Sequence, residues 1–225
     1  ITVFWIVGIC NSINFFDNLD GGAAGTAAAT SIGLTIISLN SQQYLIAAMA
    51  VVTLGSMLGF LIWNKSPARI YMGDAGSLFL GILLSVLSIR LKPTTDSHLG
   101  AYSTPILLLA VPILDTCVAV LSRLTRNLSP FTGGKDHLSH RILVLGFSKK
   151  FTVLLLWFIS IIFVISAIAI NLHPHLGLKF LICVAIIWVS LFYFFISENS
   201  WHEYTLNKRK EKDELLPLIS EQKEK

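Results

Sequence analysis

The stretch Asn11-Ser-Ile-Asn-Phe-Phe-Asp-Asn-Leu-Asp-Gly-Gly22 stands between two apolar runs, one ending at Cys10 and one opening at about Ala23. Its twelve residues carry three amides, two carboxylates and two glycines. Polar side chains at that density have no solvation reason to sit at the end of an apolar run unless they line a wet site. Asn11, Asn14, Asp17 and Asn18 recur at spacings of three and four, so a helix would bring several onto one face. Asp20-Gly-Gly reads as a turn that frees the backbone for close approach to a ligand. The plainer alternative is a helix C-cap followed by a polar turn.

The flanking runs set the fold class. The chain has 225 residues, 54% hydrophobic and only 13% charged, with mean hydropathy +0.71. Soluble domains carry about 25% charged residues. Charges cluster between uncharged runs near ~18 residues long, the pattern of an all-α, polytopic transmembrane helical bundle. Seven spans are expected: Ile1 to about Phe16, Ala23–Leu39, Tyr44–Trp63, Ala75–Ile89, Tyr102–Leu121, Phe151–Ile170 and Leu176–Ile196. Only ten apolar residues precede Asn11, against the ~20 that a span needs. The first span is therefore expected to be truncated, and the chain to be the C-terminal part of a longer protein. No charged segment precedes the opening run, so no signal peptide is expected. Residues 1–196 form the membrane domain and 197–225 a charged tail. Cys10, Cys117 and Cys183 lie singly in apolar runs, as packing residues rather than ligands or disulfides. The pI of 9.0 follows from basic loops and does not call for nucleic acid.

Counting Lys and Arg orients the bundle. If residues 11–22 lie on one side, alternation puts 64–74, 122–150 and the tail there too. That side holds fourteen of the seventeen Lys and Arg; the other holds Arg90, Lys92 and Lys179. The positive-inside rule makes the first side cytoplasmic, in a multi-pass plasma (inner) membrane protein. All the carboxylate-bearing loops then share one face and can converge.

Three further stretches carry chemistry. In Tyr71-Met-Gly-Asp-Ala-Gly-Ser-Leu78, Asp74 opens a span. A helix N-terminus with Gly76 and Ser77 suits phosphate, and a carboxylate beside it suits Mg²⁺; Asp74 as a simple N-cap is the alternative. In Asp136-His-Leu-Ser-His-Arg141, a helical turn would present His137, His140 and Arg141 together, and with Lys135 they make an anion-binding surface. Zinc is disfavoured, with no Cys or third nearby His to complete a set. Asp115 lies inside the fifth span, either as a functional intramembrane carboxylate or as a hydrogen-bonding residue between helices.

Taken together, these stretches resemble the polyprenyl-phosphate N-acetylhexosamine-1-phosphate transferases. The family's Asn-x-x-Asn-x-x-Asp-x-x-Asp-Gly matches Asn11, Asn14, Asp17, Asp20 and Gly21. Its Met-Gly-Asp-x-Gly-Ser matches Met72 to Ser77, its upstream asparagine Asn64, and its His-rich loop residues 136–141. Four ordered matches over about 130 residues carry the resemblance. Two departures stand out. Ser139 occupies a position where the family usually has another histidine, and the paired aspartates of an earlier loop are absent and would lie upstream of Ile1. The form of the His loop and the number of spans resemble the N-acetylglucosamine type more than the muramoyl-pentapeptide type.

The resemblance implies transfer of a sugar-1-phosphate from a UDP-N-acetylhexosamine to a polyprenyl phosphate, with UMP released, as a first membrane step of cell-envelope polysaccharide synthesis. It implies Mg²⁺, with Mn²⁺ as the alternative, held by Asp74 and Asp17. Asp17, Asp20 and Asp74 are the expected catalytic residues; Asn11, Asn14, Asn64, Tyr71, His137, His140 and Arg141 are the expected substrate contacts. Expected partners are the UDP-sugar, the lipid phosphate and the membrane, with a homodimer as an option. The competing classes are an ion-coupled transporter, suggested by Asp115 and broken spans, and an inactive homologue.

Overall fold

The computed structural model describes residues 1–92, 98–129, 136–173 and 177–197, with 98–101 and 177–178 as backbone only. Lys135 and most of the charged tail lie outside the described residues. Every regular element among the described residues is helical. In order they are α1 (Thr2–Phe16), α2 (Gly22–Asn40), α3 (Tyr44–Asn64), α4 (Gly73–Arg90), α5 (His98–Leu108), α6 (Ala110–Leu124), α7 (Leu138–Val144), α8 (Lys149–Leu172) and α9 (Gly177–Ser197).

Five helices are long and apolar enough to cross a membrane: α2, α3, α4, α8 and the Lys179–Ser197 part of α9. α1 is a shorter apolar helix of 15 residues. The expected fifth span is a broken one, Tyr102–Leu108 and Ala110–Leu124 meeting at 77°. Pro112 explains where it breaks. It has no N–H to give to the carbonyl of Leu108, four residues back. That carbonyl instead accepts from Thr30 Oγ1 of α2 at 2.6 Å. The bend therefore leaves no orphaned buried acceptor at that point.

α2 is the centre of the bundle. Of its apolar window, 78% is buried, against 17% for α3 and 11% for α9. Its small residues are the reason: Ala23, Ala24 and Ala27 are fully buried and let neighbouring backbones approach. A Cβ on Gly25 would stand 2.1 Å from the Trp157 ring of α8. α1 and α4 pack equally closely, since a Cβ on Gly81 would stand 2.6 Å from Cys10 Cα. Trp5 Nε1 lies 3.3 Å from both Ser85 O and Ser88 Oγ, near the far end of α4. Asn14, at the other end of α1, meets the first turn of α4. The two helices are therefore antiparallel. The outward faces of α3 and α9 are apolar, as a lipid-facing surface must be.

The ends sort as alternation requires. Residues 11–22, 64–74 and 136–150 gather at one end of the bundle. At the opposite end, Gln43 and Lys92 exchange two hydrogen bonds, Gln43 Nε2 to Lys92 O at 2.7 Å and Lys92 N to Gln43 Oε1 at 3.0 Å.

Candidate active site

α1 stops at Phe16, and Asp17 is its C-cap residue, its N–H bonded to the carbonyls of Ile13 and Asn14. Asn11 and Asn14 thus stand on the last turns of the helix, while Asp17, Asn18 and Asp20 lie in the turn beyond. The helix-end reading and the polar-cluster reading describe the same residues. Gly21, at φ 77°, reverses the chain into α2, a conformation that a Cβ would strain. Its two backbone groups are both held: N–H donates to Asn64 Oδ1 at 2.9 Å, and the carbonyl accepts from Trp157 Nε1 at 3.1 Å.

The second stretch meets the first through Asn14. Its Nδ2 donates to Asp74 Oδ1 at 3.0 Å and to Ser77 Oγ at 2.8 Å, joining the end of α1 to the first turn of α4. Asp74 is exposed and lies inside the first turn; the N-cap position is Met72, with no side-chain cap, so Asp74 is not the N-cap. Burial pushes the Asp17 carboxyl up to about 6, and the negative charge of Asp74 adds to the shift. Asp20 Oδ2 accepts from Ala68 N–H at 3.1 Å, tying the turn to the loop that follows α3. Tyr71 and Asn11 are exposed at this end.

The third stretch docks on the same turn. Ser139 Oγ donates to Asn18 Oδ1 at 2.7 Å, and the His137 ring lies 5.8 Å, centroid to centroid, from Phe15. His137 is the N-cap residue of α7, with His140 and Arg141 on its first turn. Asp115, fully buried in α6, holds this start from below: Oδ1 accepts from Leu138 N–H and Oδ2 bonds His137 Nδ1, both at 2.7 Å. Arg123 Nε donates to Asp136 Oδ2 at 2.8 Å, and Arg126 bonds the other carboxylate oxygen. Burial pushes Asp136 up, but hydrogen bonds and charge from the two arginines outweigh it and hold the carboxyl below its ordinary value.

Two expected substrate contacts turn out to be internal. Asn64 is 2% exposed, and both ends of its amide are engaged by backbone, Oδ1 by Gly21 and Nδ2 by Ile70 O at 2.9 Å. Arg141 is 1% exposed; its guanidinium bonds Asp136 O, Phe195 O and Ser122 Oγ, pinning α7 to α6 and α9. A family motif marks both positions, but a motif does not say which way a side chain faces. Conversely, Asn18, Ser77 and Ser139 join the stretches together and were not among the expected site residues. The signal for Asn18 was its place in the polar spacing; that for Ser139 was its departure from the family pattern.

Beside Asp20 is a pocket of about 380 Å³ lined by Lys65, Ser66, Lys150 and Trp157. On the other flank a groove of about 620 Å³ runs between α3 and α4 over Met49, Val52, Phe60 and Phe79, and reaches Met72 and Gly76 next to Asp74. Among the described residues no three His, Cys, Asp or Glu form a metal-holding group. A cation held by two carboxylates and by substrate oxygens needs no third side chain. Burial and the Asp74 charge together raise the Asp17 carboxyl, and a divalent ion beside it would offset both.

The bundle brings three polar loops, the carboxylates of Asp17, Asp20 and Asp74, and a histidine pair to one end. The model of glycosyl transferase family 4 matches residues 1–92, and the chain belongs to that family. Over 196 residues it is 39% identical to a Bacillus subtilis (strain 168) protein named probable undecaprenyl-phosphate N-acetylglucosaminyl 1-phosphate transferase. That match covers 87% of this chain and 51% of the relative. It is 36% identical over 175 residues to the decaprenyl-phosphate N-acetylglucosaminephosphotransferase of Mycobacterium leprae (strain TN), covering 70% of this chain and 44% of the relative. It is 42% identical to the phospho-N-acetylmuramoyl-pentapeptide-transferase of Enterococcus hirae, but over 90 residues only, 40% of this chain and 28% of the relative. The chain spans about half the length of the N-acetylglucosamine relatives.

Proposed function

We propose that the protein transfers an N-acetylhexosamine-1-phosphate, with N-acetylglucosamine the leading sugar, from a UDP-sugar to a polyprenyl phosphate at the cytoplasmic face of the plasma membrane. An oxygen of the lipid phosphate forms a bond to the β-phosphorus. The bond from that phosphorus to UMP breaks, and UMP leaves with the electron pair. The observation that carries this reading is the joining of the three loops by Asn14–Asp74, Asp20–Ala68 and Asn18–Ser139. Phosphoryl transfer needs positioning and charge neutralisation more than covalent help, and a gathered polar face beside an apolar groove supplies both. The longer matches to N-acetylglucosamine relatives support the choice of sugar.

Asp74 and Asp17 would hold Mg²⁺, or Mn²⁺ in its place; the ion's chemistry is neutralisation of the diphosphate. Asn14 orients Asp74 for that task. Asp20 holds the turn against the loop after α3 and sits where substrate would meet Lys65 and Lys150. Exposed Tyr71 offers a ring for the uracil, and exposed Asn11 an amide. His137 and His140 are the sugar-side contacts. No general base is required, because a phosphate is already ionised at neutral pH. The α3–α4 groove gives an isoprenoid chain an apolar path to Asp74. Asp115, the residue that favoured a transporter, has both oxygens engaged by the His loop.

The test uses the full-length protein in membranes with UDP-N-acetylglucosamine, polyprenyl phosphate and Mg²⁺. UMP release that Asp74→Asn abolishes is the expected result. Release with a different UDP-sugar only would move the specificity. No release with any UDP-sugar from folded protein would overturn the reading.

A further inference from the structure

We infer that Asp115 is a positioning residue for His137: it holds the ring by Nδ1 and so makes Nε2 the atom this histidine offers to the substrate. The identity of what Nε2 meets rests on the transferase reading; the positioning does not. Asp115 is 0% exposed, and both of its oxygens are engaged within one residue of each other, by Leu138 N–H and by His137 Nδ1. A buried carboxylate is tolerated only when donors meet it. A carboxylate can only accept, and against one Nδ1 carries the ring proton. A neutral imidazole has one such proton, which leaves Nε2 with a free lone pair. The acceptor so presented suits a hydroxyl or amide N–H of a sugar.

The rest of the loop fits the same purpose. α6 and the turn after it hold residues 136–141 at three successive points: Arg123 and Arg126 at Asp136, Asp115 at residues 137–138, and Ser122 at Arg141. With the backbone clamped on both sides and the ring against Phe15, the orientation of His137 is set by α6 and not by solvent. A purely structural carboxylate would need only the Leu138 bond to cap α7. The bond to Nδ1 is the additional one, and it acts on the ring, which is 8% exposed, rather than on the backbone of α7.

Asp115→Asn separates the two jobs. Its amide oxygen can still accept from Leu138 N–H, so the cap survives. Its NH₂ now faces Nδ1 and favours the opposite tautomer, with the proton on Nε2, as in the corresponding substitution of serine-protease triads. The experiment uses full-length protein in phosphatidylglycerol nanodiscs, with ¹⁵N-labelled histidine observed by NMR at pH 8. The His137 signal is assigned by its loss in His137→Gln. Wild type should show a bare Nε2 and Asp115→Asn a protonated one. UMP release from UDP-N-acetylglucosamine should fall about ten- to hundredfold, the effect of one lost substrate hydrogen bond. Asp115→Asn/His137→Gln should be no slower than His137→Gln alone. A protonated Nε2 in wild type overturns the inference, and that measurement needs no variant to fold. So do an unchanged tautomer in folded Asp115→Asn, or losses that multiply in the double variant. If wild type releases no UMP from any UDP-sugar, the transferase reading fails, while the tautomer comparison still decides the role of Asp115.

Discussion

Asn64 is where the family resemblance and the structure differ most sharply, and Asn64→Ala tests the difference. The side chain is 2% exposed. It accepts from Gly21 N–H at 2.9 Å in a buried setting and donates to Ile70 O at 2.9 Å in a partly buried one. Truncation strands both groups. A buried N–H without a partner costs about 1–3 kcal/mol. The Ile70 carbonyl belongs to an exposed residue, so water can repair much of that loss, which is ~0.5–1 kcal/mol. The sum is about 1.5–4 kcal/mol of stability, concentrated on the Gly21 turn. Because Asp20 and Asn18 flank that turn, catalysis should fall as well. Asn64→Asp should not restore the midpoint, since a carboxylate keeps an acceptor for Gly21 but sets a buried oxygen against the Ile70 carbonyl. The assay is the denaturation midpoint of the full-length protein in detergent, alongside the KM for UDP-sugar. A KM raised severalfold with an unchanged midpoint would refute this reasoning and return Asn64 to the substrate.

Three other outcomes follow from the geometry. Gly81→Ala should loosen α1 from α4, because the new methyl stands 2.6 Å from Cys10 Cα; a loss of about 1–3 kcal/mol, with reduced activity through Asn14–Asp74, is checked by denaturation and UMP release. Asp136→Asn leaves two arginines without their carboxylate, worth about 3–5 kcal/mol for a buried pair. The folded carboxyl is depressed, so its contribution is fully present above the unfolded value near 4 and is lost as pH falls through the folded one. The gap between wild type and variant should therefore be constant from pH 8 to 5 and close only in stronger acid. Asp17 has the opposite sign. Its folded value is raised to about 6, so in metal-free protein stability falls as pH rises from the unfolded value through 6. Mg²⁺ should accordingly raise the denaturation midpoint more at pH 8 than at pH 5, and equal increments would show that Asp17 does not bind the ion.

The fold class was legible because apolar runs of span length have one structural outcome in lipid. The positions of the helices were legible for the same reason, and so was the gathering of residues 11–22, 64–74 and 136–150 at one end, which alternation alone demands. The break at Leu109 was half legible: Pro105 and Pro112 marked an interrupted span, but the donor that satisfies the Leu108 carbonyl there is Thr30, 78 positions away. The candidate site divides the same way. Spacing identified Asn11, Asn14, Asp17 and Asn18 as a polar set and a helix start identified Asp74, and the structure has Asn14 bonded to Asp74 and Asp17 within reach of its charge. What the sequence alone could not state is which polar side chains face outward and which are consumed inside. Asn64, Arg141 and Asp115 all look like site residues in one dimension. In three, Asn64 holds Gly21 at a separation of 43 residues, Arg141 holds Phe195 at 54, and Asp115 holds His137 at 22. Hydropathy is a local property, and one chain determines it by itself. The partner of a buried hydrogen-bonding group is decided only when distant helices pack, and that is where tertiary structure separated the residues that build the site from those left to meet substrate.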